Sequence, residues 1–586
     1  MDPFDPILDQ PLTVDFDDLM PEQRFRLANH DLLITADATG DLYSLFWPWA
    51  GREYARHLKI RIFELHDDAF MPMVTQFNPG YQETILGGEG IIVSKRLTLP
   101  LDSNYDRAVL WHCDCQAEGD RLLRMEIEID WGEPLSQQMV DGLLVAQLNP
   151  RAAQGIYNQR NAESTRVFGN PQGRPDQVDL TDPSRARLTY HVLVNGMVEV
   201  AFLLTVSDVG EQVAWNGFLA LRDAELAFER SAKVWANVVK TGQLWTPDPR
   251  LNRAVQLGRV NGIGQVQRLR TGFAATDRRV DRSAALVNAA DTVDPTLSRN
   301  VLAHLRRVAQ KSDGHLPVAL PLRHKDPIPD PGLELGTTNG AYVMALADHL
   351  RHYHAPDLLQ EHYPAIQLCV ERVIARHATT VTPAPHLTAA FCALLPRALE
   401  LARAMDNEVD VARWESEWAA LQAREGQACK DVVDVGDERT ARMPEPGAAR
   451  WTGLSVYARP FDLLLSPVDG ADAARAIWEG CGLQRVDGEL VVEPQWPATW
   501  WWALLDLPWA DDLTITLVWD GEYLHATQPV RSNLPTVLHD KIVALHTDEL
   551  DFDLQFDFVD NSDHQLAQHP QQTQRRFRPQ FDTGGL

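Results

Sequence analysis

The amino-acid sequence predicts a multidomain protein of mixed α and β structure. An N-terminal antiparallel β-sandwich is followed by an (α/α)6-like helical hairpin barrel, complete or short of its last helices, and by a short C-terminal β segment. Three observations carry this reading. Before residue 207, apolar residues alternate with polar ones in several runs, as strands with one buried face require. From Leu221 they recur at intervals of three and four, the spacing of amphipathic helices. After Asp512 the spacing returns to two.

Residues 1–30 contain Pro3, Pro6, Pro11 and Pro21, which interrupt regular structure, and read as an irregular leader. The sandwich is expected over 31–215. Its strand signals are Leu58, Ile60 and Ile62; Leu123, Met125, Ile127 and Ile129; and Leu188, Tyr190, Val192 and Val194. Asn195-Gly196 follows, then Val198, Val200, Phe202, Leu204 and Val206 alternate again. An Asn-Gly pair between two strands predicts a two-residue hairpin, because both central residues of that turn take positive φ. The stretch 150–186, rich in Asn, Gln, Arg, Pro and Gly, reads as one long loop. Leu221, Ala224, Phe228, Ala232, Trp235 and Val239 mark a linker helix within 216–245, and Thr246-Pro247-Asp248-Pro249 closes it.

The helical domain is expected over 246–512. Its first helix carries Gly258, Gly262 and Gly264, each costing about 1 kcal/mol relative to Ala, which predicts close packing against another backbone. Apolar faces then run through Leu297, Val301 and Leu305; Tyr342, Leu346 and Leu350; Leu359, Ile366 and Val373; Leu387, Leu394 and Ala402; and Val411, Trp414 and Leu421. Pro396 predicts a kink. Short loops make consecutive helices antiparallel neighbours, and repeated hairpins curl into a solenoid or a ring. Shorter helical pieces are expected at 471–479 and 500–507. The C-terminal β segment is placed at 513–560, and the polar residues 561–586 read as a disordered tail.

Composition excludes several classes of function. The formal net charge of −28 argues against nucleic acid, whose phosphates call for clustered Lys and Arg, and against an anionic membrane surface. No apolar run reaches the roughly eighteen residues of a membrane helix, and the acidic start, with no basic stretch before an apolar one, is not the pattern expected of a secretory signal. Six cysteines without CxxC spacing suggest a reducing compartment, the cytoplasm, with Cys113 and Cys115 on one buried strand face. No HExxH, P-loop, GxSxG or dinucleotide fingerprint occurs, so neither a metal nor a cofactor is expected. The oligomeric state is not legible.

The order of sandwich, linker helix and helical hairpins resembles family-15 glycoside hydrolases, the bacterial glucoamylase and glucodextranase type, within the wider six-hairpin glycosidase superfamily. The sharpest local likeness is Asp31-Leu32-Leu33-Ile34-Thr35-Ala36-Asp37, followed by Gly40-Asp41-Leu42-Tyr43-Ser44-Leu45-Phe46-Trp47-Pro48-Trp49-Ala50-Gly51. Asp313-Gly314-His315-Leu316-Pro317 and the helical hairpin at 387–421 extend it over about 30–510. The resemblance implies an (α/α)6 barrel, α-glucosidic substrates, and inversion by two carboxyl groups about 6.5–9.5 Å apart. The carboxylates themselves depart from the pattern. Thr379-Thr380-Val381-Thr382-Pro383-Ala384-Pro385 has no acid where the family places its general acid. Trp500-Trp501-Trp502-Ala503-Leu504 puts Leu504 where the general base is expected. The family's substrate clamp is matched only by Asp277-Arg278 and Asp281-Arg282.

The candidate substrate contacts are therefore Trp47 and Trp49, whose rings suit the apolar faces of sugars, together with Asp281, Arg282, Trp500 and Trp501. Against each stands a plainer role: the tryptophans as core wedges, Asp281 and Arg282 as a surface ion pair or helix cap. Glu334, in Pro331-Gly332-Leu333-Glu334-Leu335-Gly336, is the single catalytic candidate, in a loop expected at one barrel end, while Asp313 reads as a turn former. The expected function is that of a glycoside hydrolase-like carbohydrate-active protein with a carbohydrate ligand. Two other readings stay open: a non-catalytic homologue that binds a saccharide or a protein, and a lyase or isomerase on a related barrel.

Overall fold

The structure is a computed structural model. It describes residues 12–15, 24–64, 69–78, 80–88, 90–101, 106–148, 164–353, 355–379, 385–441, 476–486, 489–510, 513–547, 553–559 and 575–577. The expectations for 1–11, 16–23, 150–163 and 442–475, and for most of the tail, fall outside these residues. The chain divides into two compact units. The first comprises 1–238 with 264–271 and 322–324; the second comprises 239–263, 272–321 and 325–586.

The first unit is built on one large antiparallel sheet whose spine is a pair of 23-residue strands, Ala108–Asp130 and Arg185–Ser207. On the half near Leu110, Ala108–Asp130 pairs with Ile91–Thr98, which leads through Tyr81–Gly88 to Met71–Asn78. On the half beyond Leu123 it pairs instead with His57–Glu64, which leads to Leu42–Trp47 and Leu33–Ala36. Both halves bury their inward residues in one core. Leu58, Ile60 and Ile62 meet Ile127, Ile129 and Leu188 there, as the alternation predicts, beside the buried thiols Cys113 and Cys115.

Three local expectations are corrected. Asn195-Gly196 makes no hairpin: the strand runs straight through, and Gly196 (φ 73°) lies opposite Ala117 where the register shifts before Arg121. The positive φ that suggested a turn serves a bulge in the long ribbon instead. Within the expected leader, Leu12–Asp15 and Phe25–Ala28 are strands on the sheet. Within the expected loop, Thr165–Gly169 is a strand buried along its whole length, so it shows no alternation to read.

Helices α1 (Glu211–Ala220) and α2 (Ala224–Lys240) lie on the outer face of this sheet. Phe218, Leu221, Ala224 and Ala227 pack there with Leu110, Val145, Val167 and Leu203. The segment 264–271 is stapled to the same unit by polar contacts. Gln267 donates to the Asn29 carbonyl at 2.6 Å, and Arg268 lies 3.4 Å from Asp31 and 3.6 Å from Asp106. Arg270 donates to Asp208 at 2.9 Å and to the Trp49 carbonyl at 3.2 Å. Asp31, Asp106 and Asp208 are all buried. Gly264 ends α3 (Pro249–Gly264), where an added Cβ would meet the Ala28 carbonyl oxygen at 3.0 Å, a close backbone approach at this one of its three glycines.

In the second unit α4 (Val280–Asp291), α6 (Leu335–His352) and α8 (Pro385–Ala404) form one layer; α5 (Pro295–Lys311), α7 (Pro356–Thr379) and α9 (Glu408–Ala441) form the other. Contacts fix the directions. His349 near the end of α6 meets Asp291 at the end of α4, and Arg351 of α6 meets Glu400 near the end of α8, so the first layer runs parallel. Arg306 of α5 meets Glu361 of α7, and Tyr363 of α7 donates to Asp410 of α9 at 2.7 Å, so the second layer also runs parallel, antiparallel to the first. Three helical hairpins result among the described residues. Pro396 is accommodated inside an unbroken α8.

The stretch expected as helix at 500–507 is a strand, Trp502–Ala510, central in a sheet between Gln243–Trp245 and Leu513–Trp519. Trp502, Leu504 and Leu507 face one apolar core and Ala503 and Leu505 another. A strand buried on both faces loses the two-residue alternation and imitates a core helix. Strands therefore occur before Asp512 within the expected helical stretch, among them Val266–Leu269, Gly272–Ala275 and Leu483–Val486.

Candidate active site at the start of two parallel helices

Because α4 and α6 run side by side, their N-terminal ends share one rim, where positive helix-dipole ends collect and backbone N–H groups lack helical partners. The chain holds this rim open with backbone bonds. Arg278 takes φ 63°, an uncommon conformation for a side-chain-bearing residue. Its N–H donates to the Ala275 carbonyl at 2.8 Å, its carbonyl accepts from Leu320 N at 2.8 Å, and its guanidinium donates to the Leu320 carbonyl at 3.0 Å. Val280 N donates to the Val318 carbonyl at 3.0 Å, so the 318–320 segment caps α4 in place of a side chain.

On this frame sit the sequence-derived candidates. Arg279 clamps Asp281 in a two-pronged ion pair, Nε to Oδ1 and Nη2 to Oδ2, each 3.0 Å. Arg282 donates to Asp277 at 2.6 Å. Glu334 stands at the start of α6 with an exposed carboxylate that makes no side-chain cap to its own helix. Asp281 hydrogen bonding, then its charge, raises the Arg279 pKa, with Asp277 and Glu334 adding smaller pulls. Arg279, Asp281 and Arg282 thus share one patch with Asp277, and Glu334 is near enough for its charge to act on Arg279. The exposed Leu333 beside Glu334 adds an apolar surface. Arg279 was not among the candidates; the signal for it was the alternating Asp277-Arg278-Arg279-Val280-Asp281-Arg282 before an apolar helix.

The tryptophans lie elsewhere. Trp47 is 1% exposed inside the sheet core, with Tyr54 at 5.7 Å and the Arg107 guanidinium over its ring, so no face is open to a sugar. Trp49 is half-buried against the same core. Trp500 is half-buried and stacks on Trp496 at 6.2 Å; Trp501 packs on the other side of the strand sheet. The core that Trp500 joins includes Trp478, whose ring stacks on His352 at 4.1 Å. His352 ends α6, roughly 27 Å along the helix from Glu334 at 1.5 Å per residue. Trp500 therefore belongs with the opposite end of the helical layer. Asp313 takes φ 51° at the end of α5, in contact with Arg372, as a turn former should.

No helix among the described residues is long and apolar enough to cross a membrane. No family model and no curated protein sequence matches the chain. Among solved structures it is similar to one described as "Putative kojibiose phosphorylase from human microbiome", with a TM-score of 0.58 and 10% identity, covering 88% of this chain and 94% of that one. At that identity the likeness is one of fold. The shared fold is an antiparallel sheet domain joined to helical hairpins.

Proposed function

We propose that the protein is a carbohydrate-active enzyme of glycoside hydrolase type, acting on α-glucosidic oligo- or polysaccharides at the rim formed by α4 and α6. What supports this reading is Glu334, an exposed residue at the start of α6, near enough to Arg279 for its charge to act on that guanidinium. A carboxyl group at that position is suited to accepting a hydrogen bond from an attacking water or orienting a sugar hydroxyl. Arg279 and Arg282, already ordered by their ion pairs, supply directed donors for further hydroxyls.

A second reading, saccharide binding without turnover, is favoured by Asp277 and Asp281. Both are tied to arginines, so their oxygens are already engaged and less free to reach a glycosidic oxygen. The experiment is to incubate the protein with maltooligosaccharides, dextran, trehalose and kojibiose while following the product anomer, and to measure binding by calorimetry. The expected result is release of the β-anomer, with Glu334→Gln slower by about a thousandfold and binding retained. Unchanged turnover in Glu334→Gln removes Glu334 from the mechanism. Binding without any turnover selects the second reading, and neither binding nor turnover overturns both.

A further inference from the structure

The outer face of the sheet in the first unit is apolar twice, and helices cover it once. Its outward residues are Leu110, His112, Asp114 and Gln116 on one long strand and Leu203, Ala201, Glu199 and Met197 on the other. Leu110, Ala201 and Leu203 lie under α1 and α2. One step along, Phe228 of α2 stacks on His112 at 6.3 Å, meets Tyr81 at 4.9 Å, and receives the Arg96 guanidinium at 5.1 Å. Beyond that edge the register aligns Met71, Gly87, Ile92, Gln116 and Met197 directly across five neighbouring strands. Met71 is 69% exposed, Ile92 51% and Met197 57%, and the sulfur of Met73, itself 49% exposed, lies over Gly87.

Single exposed apolar residues need no explanation, but a row of them spanning strands does. Methionine is flexible and polarizable, and favours surfaces that adapt to a partner. The rim of this row is acidic: Glu118 and Asp120 are exposed in the adjoining bend and Glu199 lies one step inward, while Arg96 is occupied by Glu83 and Asp114, and Arg121 by Glu64. A second copy of a chain with net charge −28 would bring two acidic rims together, and an anionic lipid surface would be repelled.

We infer that this row is a docking face for a cationic amphipathic helix of another protein. At about 4.8 Å between strands the row spans roughly 19 Å. A helix of about 13 residues has that length and would lie on the sheet as α2 does beside it. Its apolar stripe meets Met71, Met73, Ile92 and Met197, and its lysines or arginines flank Glu118, Asp120 and Glu199.

The test uses the full chain and a fluorescent 14-residue Leu/Lys amphipathic peptide, with Leu/Glu and Leu/Gln peptides as controls, followed by anisotropy. The expected result is saturable binding of the Leu/Lys peptide alone. It should weaken about tenfold both in Ile92→Ser/Met197→Ser and in Glu118→Gln/Asp120→Asn, all exposed positions whose replacement leaves the fold intact. Equal binding by either variant overturns the site, since bulk charge alone would then explain attraction. A dimer of the wild type that Ile92→Ser dissolves, or binding of the wild type to zwitterionic vesicles that the same change removes, assigns the row to another occupant and overturns the inference.

Discussion

His349 and Asp291 join the ends of α6 and α4 through a 2.7 Å contact between Nδ1 and Oδ1, with both side chains wholly buried. The Asp291 Oδ2 and the His349 Nε2 have no hydrogen-bond partner among the described residues. Removing one member strands the other in the helical core. His349→Ala should therefore cost about 3 kcal/mol in urea unfolding, whereas replacing the pair by Leu and Phe should cost less than either single change. A near-neutral His349→Ala would show that the pair is not what joins these helix ends.

A neighbouring imidazole makes stability depend on pH. Burial, then the charges of Arg306 and His349, lowers His362 from its ordinary 6.5 to about 3, and Tyr342 Oη lies 2.8 Å from its Nδ1. The unfolded chain binds a proton there below about pH 6.5 and the folded chain does not until about pH 3. Stability should fall with decreasing pH across that window, by about 1.4 kcal/mol per unit from this group, and stay flat above it. Unfolding curves at pH 7, 6, 5 and 4 should show a slope one proton shallower in His362→Asn than in the wild type.

At the rim, Asp281 holds Arg279 and little else. Exposed ion pairs add at most about 1 kcal/mol, so Asp281→Asn should leave the melting temperature nearly unchanged. Its effect should appear as saccharide binding weakened about tenfold, because Arg279 loses its fixed direction. A large fall in stability with unaltered binding would make the pair structural.

The bulge in the long ribbon offers a clean measure of backbone conformation. A Cβ on Gly196 would meet no atom within 4 Å, so Gly196→Ala tests its φ of 73° alone. The expected loss is about 1 kcal/mol by denaturant unfolding. A loss several times larger would mean that the ribbon itself had shifted register.

The sequence was legible where burial is one-sided. Leu58, Ile60 and Ile62, and Leu123 to Ile129, alternate because their other face meets solvent or helix, and the hairpins from Leu297 to Leu421 keep a helical period for the same reason. It misled where that condition fails. Thr165–Gly169 and Trp502–Ala510 are covered on both faces, and Asn195-Gly196 uses a turn conformation within a strand. The rim was half legible. Asp281, Arg282 and Glu334 could be named from type and spacing, but Arg279 gains its place only because α4 and α6 run parallel, and Trp47 looks like a ligand platform until its neighbours close over it.

The segment 264–271 has a consequence for how this protein can be handled and how it can have been assembled. It lies downstream of both α1 and α2, yet it supplies Arg268 to Asp31 and Asp106 and Arg270 to Asp208. A fragment ending at Val238 keeps every strand of the large sheet and still loses Arg268 and Arg270, although Asp31 retains its contact with Arg107. The sheet domain is thus not an excisable cassette: its boundary in space and its boundary along the gene differ, and any shuffling that respects one will sever the other.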